Sequence, residues 1–196
     1  MIESWPDTEF YCVCYTWGTR GSFIGSLIYD FLFGSSNVPF SSTGEAHVRA
    51  ELFKQNWNIE EEIKKIGHDY EFVDPRDPLK PMIMLQHLPP DLDVLFHRYP
   101  KTKLILISYT PSDESEIKSN INHKLGFGEK MRMTEYLDLE KYQGKAKNIY
   151  IIPYHDIMHN KKRTMMMLSK ITNKPITPEI EYTYDLYIRA QPRYIS

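Results

Sequence analysis

The apolar positions of this chain fall into two kinds of run: short unbroken ones, and longer ones with a helical repeat. Four short runs stand out: Phe10–Tyr15 (FYCVCY), Met82–Gln86 (MIMLQ), Lys103–Tyr109 (KLILISY) and Asn148–Ile152 (NIYII). Unbroken apolar runs of this length, bounded by turn residues or proline, fit strands buried on both faces of a parallel sheet. Elsewhere apolar residues recur at three- and four-residue intervals. That spacing predicts helices over Ser22–Phe33, His47–Trp57, Ile59–Ile66, Pro90–Tyr99, Asp113–Lys124, Asn160–Ile171 and Pro178–Ala190, with a fainter repeat over Thr134–Tyr142. Pro90 followed by Asp91 and Asp93 marks a helix start, because proline suits the first turn and acids suit the positive dipole end. Strands alternating with helices predict an α/β fold: a three-layer sandwich with a central, mostly parallel sheet of about four to five strands flanked by helices. With 196 residues, 41% of them hydrophobic, the chain is long enough to build one core, and a single domain over 1–196 is expected.

In open parallel sheets ligands sit outside the carboxyl ends of the strands. The segments to read are therefore Thr16–Ser22, His87–Pro89, Thr110–Ser115 and Pro153–Asp156. The first says most. Between Phe10 and Phe33 an apolar run feeds a glycine-bearing turn (TWGTRGS) that opens an amphipathic run. Amides left unpaired at a helix start, together with the positive end of its dipole, favour an oxyanion such as phosphate or sulfate. Gly18 and Gly21 allow a tight turn and close approach, and Arg20 adds a planar fork of charged donors. Ser22 supplies a hydroxyl, and the amides of Gly21, Ser22 and Phe23 would form the cradle. Trp17 beside the turn is placed either to stack on a base or to pack in the core. The pattern is not a Walker A sequence, since Gly21 precedes Ser22 directly and no lysine intervenes. A glycine turn of this kind also serves packing alone in many α/β proteins.

Charge narrows the partners. A formal net charge of −2 argues against broad binding to nucleic acid or to a membrane surface, and Lys161-Lys162-Arg163 reads as a solvated helix face. The start MIESWPDTEF has neither a basic nor an apolar leader region, and no apolar stretch approaches membrane-span length, so a cytoplasmic location without a membrane partner is expected. Cys12 and Cys14, two residues apart on a strand, share one face and are expected to be reduced core residues; no metal-ligand spacing is evident around them. Gly67–Pro81 and His123–Met133 read as loops, the first carrying three prolines.

Four segments, in order, resemble landmarks of the sulfotransferase family. TRGSFIGSLI resembles that family's 5′-phosphosulfate loop, of the type (K/R)SGTTxL; LQHLPPDL resembles its KTHLPxxL segment. YPKTKLILISYTPSD resembles the FPxAKxIxIxRxPxD stretch that binds the donor's 3′-phosphate, and NIYIIPYHDIMHNKKRTMMMLSKITNKPITPEI resembles the strand, helix and leaflet that follow. A looser likeness lies in SSNVPFSSTGEAHVRAELF, where other branches place a catalytic glutamate. The resemblance implies a P-loop-like fold and transfer of a sulfuryl group from 3′-phosphoadenosine 5′-phosphosulfate to a hydroxyl or amine of a small-molecule or glycan acceptor. It implies His87 as catalytic base, Glu45 as the rival base and, with a one-residue shift of the loop alignment, Arg20 at the sulfuryl group. The donor site it implies runs from Trp17 through Gly18, Thr19 and Arg20 to Gly21, Ser22 and Phe23, and continues at Tyr109, Ser112 and Ser115. It also implies a co-substrate rather than a metal.

The departures from the family pattern are specific. Thr19 stands at the basic loop position, Leu85 at the lysine of KTH, Tyr109 at the arginine that grips the 3′-phosphate, and Ile117 at the serine beside it. Tyrosine offers one neutral donor where arginine offers a charged bidentate pair. Those substitutions motivate a second expectation, a sulfotransferase-like fold that no longer binds the donor and acts as a binding or scaffold module. Phosphoryl transfer on a related scaffold is disfavoured by the missing Lys-Ser/Thr pair.

Overall fold

The computed structural model describes residues 9–15, 18–34, 81–86, 92, 96, 100–125 and 147–190. Within them the chain forms β1 (Phe10–Cys14), α1 (Gly21–Phe33), β2 (Met82–Gln86), β3 (Lys103–Ser108), a 3-10 turn (Pro111–Asp113), α2 (Glu114–Leu125), β4 (Ile149–Pro153), α3 (Tyr154–His159), α4 (Lys161–Thr172) and α5 (Pro178–Ala190). The helices expected over His47–Trp57, Ile59–Ile66 and Thr134–Tyr142 lie outside the described residues, as does the Gly67–Pro81 loop apart from Pro81. So do Trp17, Glu45 and His87. No described helix is long and apolar enough to cross a membrane.

The described strands form one parallel sheet in the order β2-β1-β3-β4. Every residue of β1 is buried, as an unbroken apolar run at the centre of a sheet requires. The register explains how the two faces differ. Val13 pairs with Leu85 on one side and Ile105 on the other, and Ile107 pairs with Ile152. These side chains join Phe23, Ile24, Leu27 and Ile28 of α1 and Met165, Leu168 and Ile171 of α4 in the larger core. On the opposite face Cys12, Cys14, Leu104 and Leu106 form a second cluster, with Leu92 and Phe96 against it. Cys12 and Cys14 are buried and form no disulfide, their sulfurs 3.7 Å apart. Each fully buried aliphatic side chain contributes roughly 1.5–3 kcal/mol, so the register is strongly specified on both faces.

Two close approaches fix α1 over the sheet. At Gly25 an added Cβ would lie 2.7 Å from Leu85 Cδ2, so a side chain there would have to push the tip of Leu85 aside. At Gly21 an added Cβ would fall on the ring of Tyr15. The order of the strands then sets the place for a ligand. The chain runs from β1 outward to β2 and then crosses back to β3, so the switch in direction lies between the carboxyl ends of β1 and β3.

Candidate functional site

The turn after β1 meets the start of α1 at that switch point. Gly18 takes a positive φ of 82°, which a glycine adopts without strain. Arg20 follows in the left-handed region, φ 69° and ψ 27°, where a non-glycine residue is disfavoured by about 1–2 kcal/mol. It occupies the N-cap of α1 but gives the helix no side-chain cap, and the first turn carries no acidic residue. The first amide drawn into the helix is that of Ile24, which donates to the Arg20 carbonyl at 3.1 Å. The positive end of α1 is thus left without a negative side chain of its own.

The decisive feature is the Arg20 side chain. The residue is only 6% exposed, and its Nε and Nη2 atoms are buried with no hydrogen-bond partner. The guanidinium lies over the ring of Tyr187 from α5, 5.9 Å from its centroid. Tyr187 in turn stacks face to face on Phe23, 3.6 Å between centroids and 7° between planes. A buried cation with orphaned donors is costly, and such groups in native structures call for an explanation such as an absent anion.

The other residues of the turn take different parts. Thr19 is fully buried. Phe23 is buried beneath Tyr187, so only its backbone faces the role expected of it. Ser22 is partly exposed, its Oγ 3.5 Å from the Tyr15 hydroxyl, and its carbonyl accepts from Ser26 Oγ at 3.0 Å. Tyr15 was not among the expected site residues. Gly21, two residues after Thr19, carries the only trace of it in sequence, since an unbranched position there is what the ring needs.

At the end of β3 the second loop is built on an acid. Asp113 Oδ2 accepts the Thr110 amide at 2.7 Å and the Thr110 hydroxyl at 2.8 Å, while the Asp113 amide donates to the Thr110 carbonyl at 2.9 Å. These bonds cap the 3-10 turn that leads into α2. Ser112 and Ser115 are exposed, Ser112 Oγ sharing a 2.6 Å bond with Thr110 Oγ1. Tyr109 and Ile117 are buried members of the larger core. At the end of β4 the chain enters α3 directly. The Tyr154 hydroxyl donates to Glu116 at 2.9 Å, and Asp156 pairs with Arg163 at 3.2 Å.

No family model, no curated protein and no solved structure matches the chain. The site stands on its own geometry. It joins one buried, unsatisfied guanidinium and one uncapped helix start, whose second residue is Ser22, at a sheet switch point. Among the described residues no group of three His, Cys, Asp or Glu side chains is placed to hold a metal ion.

Proposed function

We propose that the protein is a sulfotransferase of P-loop-like fold, using 3′-phosphoadenosine 5′-phosphosulfate as sulfuryl donor. The observation that carries the reading is the buried Arg20 guanidinium, whose Nε and Nη2 lack acceptors at the start of the first helix. A 5′-phosphosulfate group supplies the oxygens those donors lack, and the amides of Gly21, Ser22 and Phe23 receive the rest of its charge. In the reaction the acceptor oxygen or nitrogen bonds to sulfur as the sulfur–oxygen bond to the 5′-phosphate breaks. Arg20 steadies the charge that develops on the departing phosphate. The acceptor's proton passes to a base, His87 at the end of β2 or Glu45 beyond α1.

A second reading has its own support. Tyr109 and Ile117, at the positions where the family grips the 3′-phosphate, are core residues, and the Tyr15 ring lies against the helix start. A protein that keeps the scaffold and binds no donor would have these features. Titration calorimetry with adenosine 3′,5′-bisphosphate separates the two. Saturable binding that Arg20→Met abolishes, with sulfated product formed from the donor and an acceptor panel, is the outcome expected of the enzyme. No heat and no rise in melting temperature at millimolar ligand would overturn it in favour of the scaffold.

A further inference from the structure

Resting on the reading of Arg20 as an oxyanion ligand, we infer that Tyr187 is the positioning residue that holds its guanidinium ready. An arginine has a long, flexible side chain, and an empty anion site usually leaves it in solvent or paired with a carboxylate. Neither holds here. Arg20 is buried, and the group beneath it is an aromatic face rather than an acid. That choice matters chemically. A carboxylate would consume the N–H donors and neutralise the charge, whereas a ring face attracts the cation through its quadrupole and takes no donor. The guanidinium stays cationic, oriented and unsaturated.

The ring is itself immobilised. Tyr187 is 3% exposed and lies flat on Phe23, the third residue of α1, while Tyr184 one turn earlier tilts against the same Phe23 at 5.6 Å. Tyr184 donates its hydroxyl to the Ile157 carbonyl at 2.5 Å, anchoring α5 to α3. Asp185, the acid nearest in sequence on α5, is engaged by Lys161 at 2.8 Å. Phe23 thus lies flat on the Tyr187 ring, the Arg20 guanidinium lies 5.9 Å from that ring's centroid, and Phe23 belongs to the helix that Arg20 opens. The anion donor and its support share one rigid unit, although Tyr187 arrives from a distant part of the chain.

The test uses inorganic pyrophosphate as probe, titrated calorimetrically into the full chain in sulfate- and phosphate-free buffer. Tyr187→Phe keeps the ring and is expected to bind within twofold of the native protein. Tyr187→Leu keeps the bulk without the quadrupole and should weaken binding 5- to 20-fold, the scale of a desolvated cation–π contact. Ile180→Ala, a core truncation two turns earlier on α5, controls for general loosening and should bind as the native protein does. The Arg20 Nε–H resonance gives a ligand-free readout: upfield-shifted by the ring in the native protein, and moved downfield in Tyr187→Leu only. Equal binding by Tyr187→Leu and the native chain, or an equal loss in Ile180→Ala, overturns the positioning role. Absence of pyrophosphate binding with the expected Nε–H shifts instead upholds the positioning and overturns the oxyanion reading.

Discussion

Replacing Arg20 by methionine should make the protein more stable, which is the reverse of what truncating a structural arginine does. Methionine retains an unbranched stem of similar reach, and the left-handed backbone at position 20 is common to both chains. What changes is the charged head. Two buried donor nitrogens without acceptors each cost about 1–3 kcal/mol, and the contact with Tyr187 returns about 0.5–2 kcal/mol. The balance favours methionine by about 2 kcal/mol, in keeping with the gains seen when buried charges yield to apolar side chains of like volume. For a chain of this length that corresponds to a rise of roughly 4–8 °C in melting temperature. Urea unfolding followed by circular dichroism and fluorescence, in chloride buffer at neutral pH, reads it directly. Adding sulfate or pyrophosphate should then stabilise the native chain alone, by about 2.7 kcal/mol at a hundredfold excess over Kd. A loss of 1 kcal/mol or more in Arg20→Met without ligand would refute the reasoning, because it would mean that the guanidinium ties the fold together.

Gly25→Ala sets a helix gain of about 1 kcal/mol against a Cβ placed 2.7 Å from Leu85 Cδ2 in a packed core, a strain of about 1–3 kcal/mol; a net loss near 1 kcal/mol, partly recovered in the Leu85→Val double variant, is expected in denaturant titrations. Asp113→Ala leaves the Thr110 amide without its acceptor and should cost about 1–2 kcal/mol, with Asp113→Asn losing less; equal stability of all three chains in urea would contradict the capping. Burial, reinforced by the charges of Asp185 and Asp156, pushes the Tyr184 hydroxyl up to about 12 from its ordinary value near 10. The neutral phenol is the form the fold favours, so its contribution is complete below pH 10 and drains away as pH rises towards 12. The stability gap between native and Tyr184→Phe chains should narrow or reverse across that window; a gap that does not change with pH would show the hydroxyl to be freely solvated.

The strands were legible because runs of five to seven residues, bounded by turn residues or proline, are too short for a helix and long enough for a buried strand. Met82–Gln86 forms over its full length, and the other three shift by a residue or so at their ends. Helices α1, α2, α4 and α5 likewise follow the three-four spacing, and α5 spans Pro178–Ala190 as the pattern predicts. Helix α3, by contrast, left no helical signal in the sequence. Six residues after Pro153 are too few to show a repeat, and its apolar Tyr154 and Ile157 gave one pair only. The helix start and its glycines were also visible, but not their reasons. Gly18 bends the turn as expected, whereas Gly21 makes room for the Tyr15 ring. The left-handed Arg20 was hidden, since arginine has no preference for that region. The Tyr187 stack was hidden more deeply: no local signal links residues so far apart in the chain.

The seating of α5 upon α1 also orders events in time. Phe23 leaves the ribosome long before Tyr187, and at 5–20 residues per second the delay is roughly 10–30 s. Throughout that interval the nascent segment holds a large aromatic side chain with its cover still unmade, beside a cation whose counterpart ring has not been synthesised. The first turn of the first helix is therefore among the last parts of the protein to mature, and a chain interrupted before residue 178 would emerge with a sheet but without a finished mouth.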